Sequence, residues 1–277
     1  MRAAVLGKPI AHSLSPVLHR AAYAALGLDG WRYDAIECGE AGLPALLASC
    51  GTGWAGLSLT MPLKRAVLPL LGWTDPVALA TGGANTVVFT DDEEPRGYNT
   101  DVAGLVTALT EAGVKPAAAT ILGAGATACS ALAALRELGL TEVTVAVRDP
   151  SRAAGLLAAA SRLGVRVRLA PFRSSDFKRK NPQTDLLIST VPEGGIDFFT
   201  EQLRHGHQAP TAIMDVVYNP WPTPLADAAR RAGSAVISGY ELLLHQAAWQ
   251  VELMTGVAAP VPQMREAGLA ELARRAG

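Results

Sequence analysis

The segment Ala119-Thr-Ile-Leu-Gly-Ala-Gly-Ala-Thr-Ala-Cys-Ser130 constrains this chain more than any other. Thr120-Ile121-Leu122 is a β-branched, apolar run suited to a buried parallel strand. It ends in Gly123-Ala124-Gly125, and beyond Ala126 the apolar residues Leu132, Leu135 and Leu138 fall on one helical face. Strand, glycine turn and helix in that order match the dinucleotide-binding fingerprint. The first glycine permits the tight turn and the second lets the backbone approach a pyrophosphate. The helix N-terminus then offers N–H groups and a positive dipole end to the anion. With Ala126 and Thr127 these residues form a candidate cofactor cradle. The third glycine is missing, its place taken by Cys129 or a neighbouring alanine, so an ordinary strand-to-helix turn is the alternative.

A length of 277 residues accommodates two domains. A formal net charge of −1 provides no general basic field, which argues against a nucleic-acid partner. Cys38, Cys50 and Cys129 lie far apart without CxxC spacing, pointing to a reducing compartment rather than a disulfide framework. No His/Cys/Asp cluster has metal spacing, so no metal is implied. The most apolar window, 117–135, contains the glycine turn and polar Thr120, Thr127 and Ser130, which suits a βα unit better than a membrane span. Met1–Gly7 reads as a first strand, too short for a signal peptide and broken by Lys8-Pro9. The expected location is the cytoplasm.

Elements alternate along the chain. Strands are expected at Ala3–Leu6, Trp31–Glu37, Ala55–Leu59 and Ala84–Phe89. Helices are expected from a Ser15-Pro16 cap to Gly27, over Leu43–Leu47, and after Thr60-Met-Pro-Leu-Lys64. Asp91-Asp-Glu-Glu94 reads as a solvated hairpin tip and Asp101–Gly113 as a connecting helix. After the glycine turn come a strand at Glu142–Val147, a helix at Pro150–Leu163, and strands at Val165–Leu169, Leu186–Ser189 and Ala212–Val216. The basic run Lys178-Arg-Lys180 reads as a solvated loop. A long helix, Tyr240–Thr255, starts too late to extend this sheet and is expected to pack on the first domain. The fold class is therefore α/β: an N-terminal α/β domain, 1–104, completed by 239–277, and a doubly wound Rossmann-type domain, 105–238.

Polar residues collect at element ends in the first domain: Ser13, Ser15, Thr60, Lys64, Asn85, Asn99 and Asp101. Positions just past strand ends line the ligand crevice of α/β sheets, although Ser15 and Asp101 also suit helix caps and Lys64 an exposed helix face. Together they carry a family pattern. Gly7-Lys-Pro-Ile-Ala-His-Ser-Leu-Ser-Pro16 with His19, Leu59-Thr-Met-Pro-Leu-Lys64, Gly83-Ala-Asn-Thr86 and Gly97-Tyr-Asn-Thr-Asp-Val-Ala-Gly104 resemble the shikimate dehydrogenases. Ser189-Thr-Val-Pro192, Asp215-Val-Val-Tyr-Asn-Pro220 and Gly239-Tyr-Glu-Leu-Leu-Leu-His-Gln246 continue the resemblance in order.

The resemblance implies reversible NADPH-dependent reduction of 3-dehydroshikimate to shikimate, on the way to chorismate and aromatic amino acids. It implies small-molecule ligands and a monomer or homodimer. Ser13 and Ser15 would bind the substrate carboxylate. Thr60, Asn85, Asp101, Tyr218 and Gln246 would hold ring hydroxyls or carboxylate, and Lys64 and Asp101 would form the catalytic pair. Hydride arriving at a carbonyl carbon leaves negative charge on oxygen, which an ammonium donor at Lys64 can neutralise and protonate. Besides Gly123, Ala124, Gly125, Ala126 and Thr127, the cofactor residues implied are Arg148, Asp149, Arg152, Thr190, Val191, Val216, Gly239 and Leu242.

This chain departs from the pattern at several positions. Ser58 replaces an asparagine, with little functional cost expected, and Leu242 replaces a methionine. Arg148-Asp149-Pro150-Ser151-Arg152 replaces the usual Asn-Arg-Thr. Arg148 and Arg152 favour a 2′-phosphate and hence NADP, with Asp149 a natural cap before Pro150. If Asp149 instead faces the ribose, NAD is favoured and the chain resembles the quinate/shikimate dehydrogenases. His12 is expected to be a structural hydrogen-bonder and His19 to pack. A non-catalytic binding protein is the remote reading, disfavoured because a binder has no need of the Lys64 proton donor.

Overall fold

The computed structural model describes residues 1–90, 94–172, 184–192, 195–206 and 208–276. It divides into two compact units, 1–104 with 243–277, and 105–242. The hairpin expected at 91–94 falls largely, and the basic run 178–180 wholly, outside the described residues. Among the described residues no helix is long and apolar enough to cross a membrane.

The first unit holds strands β1 (Arg2–Gly7), β2 (Arg32–Glu37), β3 (Trp54–Leu59), β4 (Trp73–Thr74), β5 (Thr86–Val88) and β6 (Arg96–Tyr98). They form one sheet in the order β2-β1-β3-β5-β6-β4. β1 runs parallel to β2 and β3, whereas β5 is antiparallel to both β3 and β6. β1 and β3 are almost wholly apolar because both of their faces are covered. Ala4, Leu6, Leu57 and Leu59 point into one core with Leu43, Leu63 and Val67. Ala3, Val5 and Ala55 point into the other with Tyr23, Tyr33 and Met254. The edge strand β2 alternates polar and apolar residues instead.

Helix α1 (Ser15–Ala25) follows β1, and α2 (Leu43–Ser49) precedes β3. Short α3 (Leu63–Ala66) and α4 (Pro76–Thr81) connect β3 to β5, and α5 (Thr100–Glu111) leaves β6. Helix α1 is capped by Leu14 rather than by Ser15, and the Ser15 N–H donates to Ser13 Oγ at 3.2 Å. The loop serine, not the helical one, supplies the acceptor.

The second unit is a sheet of six parallel strands: β7 (Ala119–Leu122), β8 (Glu142–Val147), β9 (Arg166–Pro171), β10 (Leu186–Ser189), β11 (Ala212–Asp215) and β12 (Ala235–Ser238). Their order is β9-β8-β7-β10-β11-β12, the doubly wound arrangement whose direction reverses between β7 and β10. Helices α6 (Ala126–Glu137), α7 (Ala154–Leu163), α8 (Asp197–Arg204) and α9 (Pro224–Arg231) belong to this unit. The helix expected from Pro150 begins as a 3-10 turn, Pro150–Ala153, before α7.

Helix α10 (Gly239–Thr255) continues into the first unit, where Met254 enters the core beside Val5 and Tyr33. The last helix, α11 (Val261–Ala276), packs on α1. Arg275 of α11 is gripped by Glu271 at 2.7 Å and donates to the His12 carbonyl at 2.7 Å. The C-terminal helix thereby ties down the loop that carries Ser13.

His19 is wholly buried on α1, stacked on Tyr33 with ring centroids 3.9 Å apart. Burial lowers its imidazole to about 3, against a weaker upward pull from a hydrogen bond to Gln250. The unfolded chain takes up this proton near pH 6.5 and the folded chain does not, so stability is full above pH 6.5 and falls as the pH drops toward 3. Urea unfolding across pH 7 to 5 should show wild type losing stability more steeply than His19→Phe. The difference in slope should approach about 1.4 kcal/mol per pH unit. Parallel curves would show that His19 is not the group held neutral.

Candidate active site

The first sheet changes winding direction at β1, which has β2 on one side and β3 on the other. Ligands of open α/β sheets bind beyond the carboxyl ends of strands at such a point. β1 ends there and leads to Ser13 and Ser15. β3 ends there and leads to Thr60 and Lys64. Antiparallel β5 begins at the same edge just after Asn85, and β6 ends there just before Asn99-Thr100-Asp101. The approach is close: a Cβ on Gly7 would overlap Thr60 Cγ2, and the Thr60 N–H donates to the Leu6 carbonyl at 2.9 Å.

Lys64 Nζ lies 2.6 Å from Asp101 Oδ2, with side-chain exposures of 15% and 6%. Lys64 is placed by its backbone: its carbonyl accepts from the Ala84 N–H at 2.8 Å, and Gly83 passes against it. Asp101 is placed by the first turn of α5, where N–H groups lack intrahelical partners. The Thr100 N–H donates to Asn85 Oδ1 at 2.8 Å and the Asp101 N–H to Asn99 Oδ1 at 3.1 Å. Asn99 in turn donates to Thr81 Oγ1 and the Gly83 carbonyl, both at 2.9 Å. Asn85 Nδ2 meets Asp101 Oδ1 at 2.8 Å, Thr100 Oγ1 at 3.0 Å and Gln246 Oε1 at 3.3 Å. Lys64, Asn85, Asp101 and Gln246 thus form one contiguous polar cluster, and Ser13, Ser15 and Thr60 sit on the adjoining segments of the same sheet edge.

One stripe of α10 lies along this edge at four-residue spacing. Gln246 meets Asn85, Gln250 meets Ser58 and Thr86, and Met254 rests on Gly56, where a Cβ would come within 2.8 Å of Met254 Cε. Ser58 faces Thr86 across the β3–β5 pair and donates to Gln250 in the polar network beneath Asn85.

In the second unit, Gly123 meets Thr190 and Val191 at the β7–β10 reversal. Gly123 has φ +105°, and a Cβ there would come within 2.7 Å of Thr190 Oγ1 and 3.3 Å of Val191. Gly125 starts α6 and no side chain caps that helix, which leaves its first-turn N–H groups available to an anion. Fully buried Ala128 occupies the third-glycine place, where a small residue suffices for packing. A Cβ on Gly239 would run into the Val216 carbonyl, so these two backbones touch. Leu242 is buried, and Tyr218 is half-buried on the segment after β11. Beyond β8, Arg148 and Arg152 are exposed, whereas Asp149 Oδ1 accepts from the Ser151 N–H at 2.9 Å and Ser151 Oγ at 2.7 Å. Those Ser151 bonds, aided by Arg152, hold the Asp149 carboxyl below the usual range. Asp149 is the N-cap of the following turn.

Residues 5–87 match the model of the shikimate dehydrogenase substrate binding domain, and 239–267 that of the shikimate 5′-dehydrogenase C-terminal domain. A shikimate dehydrogenase (NADP(+)) of Moorella thermoacetica is 38% identical over 272 residues, covering 94% of this chain and 90% of the relative. The chain belongs to the shikimate dehydrogenase family. Among solved members, the Mycobacterium tuberculosis shikimate dehydrogenase superposes with a TM-score of 0.86 at 42% identity, covering 97% of this chain and 99% of that one. The Thermus thermophilus shikimate 5-dehydrogenase, solved in complex with NADP(H) and shikimate, superposes at 0.82 with 33% identity, covering 98% and 99%.

The family models contain Ser13, Ser15, Thr60, Lys64, Asn85, Gly239, Leu242 and Gln246, while Asp101 and the glycine turn fall between them. Residue-by-residue reasoning passed over Gln250, Thr86, Thr100 and the role of Ser58. All four lie in strands or helices, where a single polar side chain gives no local signal; only the Gln246–Gln250–Met254 spacing on α10 hints at one of them, Gln250.

Asn85→Ala would strip partners from the Thr100 N–H and from Asp101 Oδ1 at a site 1% exposed. Urea unfolding should show a loss of about 2 kcal/mol, the cost of orphaned buried polar groups. Ser13→Ala, which removes one part-buried acceptor at the start of α1, should cost less, about 0.5–1 kcal/mol. Equal, small effects would show that Asn85 does not organise the cluster.

Proposed function

We propose that this chain interconverts 3-dehydroshikimate and shikimate with NADP(H), the ketone-reducing step on the way to chorismate. The observation that carries the reading is the 2.6 Å Lys64–Asp101 pair, nearly buried at the sheet edge of a shikimate dehydrogenase family member. The cofactor supplies the hydride. In the reducing direction the Lys64 ammonium gives a proton to the oxygen that gains charge, and in the oxidising direction the Lys64 amine takes it back. Asp101 fixes the position of Nζ and accepts from a substrate hydroxyl.

Ser13 and Ser15 bind the substrate carboxylate through their hydroxyls. Thr60, Asn85 and Gln246 hold the ring hydroxyls or carboxylate. Asn85 can serve because its 3.3 Å contact to Gln246 is the weakest of the three Nδ2 makes, and a hydroxyl can replace it. Gly123, Ala124, Gly125, Ala126 and Thr127 cradle the pyrophosphate, with Thr190, Val191, Val216, Gly239 and Leu242 along the rest of the nucleotide. Arg148 and Arg152 take the 2′-phosphate. Two arginines against one carboxylate favour this over the NAD reading, and Asp149 is already employed as the cap of the following turn, its Oδ1 held by Ser151. Three free cysteines fit a reducing compartment, which supports a cytoplasmic protein.

Initial rates of shikimate oxidation with NADP and with NAD, repeated with quinate, test the reading. Turnover of shikimate with strong NADP preference is expected. NAD preference with quinate turnover would favour a quinate/shikimate dehydrogenase, and no turnover with any pair would favour a binding protein. Lys64→Ala should cut kcat by about 10²–10⁴ while shikimate still binds, the loss typical of a general acid. An unchanged kcat would remove Lys64 from the chemistry.

A further inference from the structure

Gln250 lies one helical turn beyond Gln246 on α10, 1% exposed. Every hydrogen-bonding position of its amide is used. Oε1 accepts from Ser58 Oγ at 2.7 Å and from His19 Nε2 at 3.2 Å. Nε2 donates to Thr86 Oγ1 at 3.0 Å and to the Asn85 carbonyl at 3.3 Å. Because burial keeps His19 neutral and its Nδ1 has no partner among the described residues, its one ring proton belongs on Nε2, which fixes the orientation of the Gln250 amide.

The bonds form a directed chain. Tyr33 OH donates to Ser58 Oγ at 2.6 Å, Ser58 to Gln250, Gln250 to Thr86, and Thr86 Oγ1 to Asn85 Oδ1 at 2.9 Å. Asn85 then donates to Asp101, which receives Lys64. At its far end Tyr33 also interacts with the hydroxyl of Ser15. Each hydroxyl in the run has one proton to give, so each bond dictates the direction of the next. Asn85 is anchored through its backbone by the Leu59 N–H on its carbonyl at 2.7 Å and the Tyr98 carbonyl on its N–H at 2.9 Å, and the Thr100 N–H donates to its Oδ1. From below, Gln250 adds a second donor to the carbonyl at 3.3 Å and, through Thr86, a further donor to Oδ1.

We propose that Gln250 is a positioning residue for the reaction: by fixing Asn85, it fixes the carboxylate of Asp101 and hence Lys64 Nζ. The proposal rests on the reading of Lys64 and Asp101 as the catalytic pair. Its distinguishing feature is direction. Ser58 lies upstream of Gln250, so removing the serine hydroxyl leaves both Gln250 donations toward Asn85 in place, whereas replacing Gln250 removes them.

The test uses the full chain with Gln250→Leu, Gln250→Glu and Ser58→Ala, with steady-state shikimate oxidation by NADP, thermal unfolding, and NADP affinity by fluorescence. For Gln250→Leu, kcat should fall on the order of 10–100-fold, the scale of a small misplacement of reacting groups, with NADP affinity within twofold of wild type. Ser58→Ala should keep kcat within threefold even where its melting temperature falls comparably. Gln250→Glu, which keeps both acceptor contacts, offers no amide donors once ionised. Its kcat should recover toward wild type as the pH is lowered and the carboxyl gains a proton to donate. If Gln250→Leu fails to fold, Gln250→Glu and Ser58→Ala carry the same contrast. Equal kcat losses in Ser58→Ala and a Gln250 variant of matched stability would reduce Gln250 to a packing residue, as would an unchanged kcat in the Gln250 variants. A wild-type chain without shikimate turnover would remove the functional reading itself and the proposal with it.

Discussion

A lysine ammonium and a carboxylate held 2.6 Å apart, with only 15% and 6% of their side chains exposed, depend on everything arranged around them. Desolvating two charges is costly, and the attraction between them offsets that cost only where geometry is good and remaining lone pairs are satisfied. Here Lys64 fills one carboxylate oxygen of Asp101 and Asn85 fills the other. Asn85 is in turn held by Thr86, Thr100 and the underlying amide of Gln250. Four chain segments are pinned together by a network in which removing one buried member leaves another without its partner.

The sheet makes that network possible. Antiparallel β5 and β6 bring Asn85 and Asp101 to the edge where parallel β1 and β3 end. Gly7 and Gly56 matter because they lack a Cβ: one admits Thr60 against β1, the other admits Met254 of α10 against β3. Met254 sets the register of α10, and the same stripe then carries Gln250 and Gln246 to their partners. Core packing and polar geometry are here consequences of a single helix placement.

Much of this was legible in the sequence. The doubly wound sheet followed from Thr120–Gly125 and the alternation after it, because parallel strands buried on both faces read as short apolar runs. Lys64, Asn85, Asp101 and Gln246, which meet in the structure, all stand at element ends or in a recognisable motif. What escaped were elements with weak or unread punctuation. Helix α4 has an Asp75 N-cap, Pro76 at its first turn and Gly82 in the left-handed conformation at its end, signals that were present but passed over. Strands β4 and β6 have two and three residues, too few to show a period. Gln250 and Ser58 escaped for another reason: a buried polar residue is defined by the partner it meets, and these two lie 192 residues apart in sequence.

The central claim is that Lys64 and Asp101 act as one unit. A double-mutant cycle with Lys64→Met, Asp101→Asn and both together, read in kcat for NADP-dependent shikimate oxidation, tests it most directly. Strong non-additivity is expected, with the double variant little worse than the poorer single one, as for residues that share one catalytic task. Independent, multiplying losses would contradict it and leave the 2.6 Å pair as a structural ion pair alone.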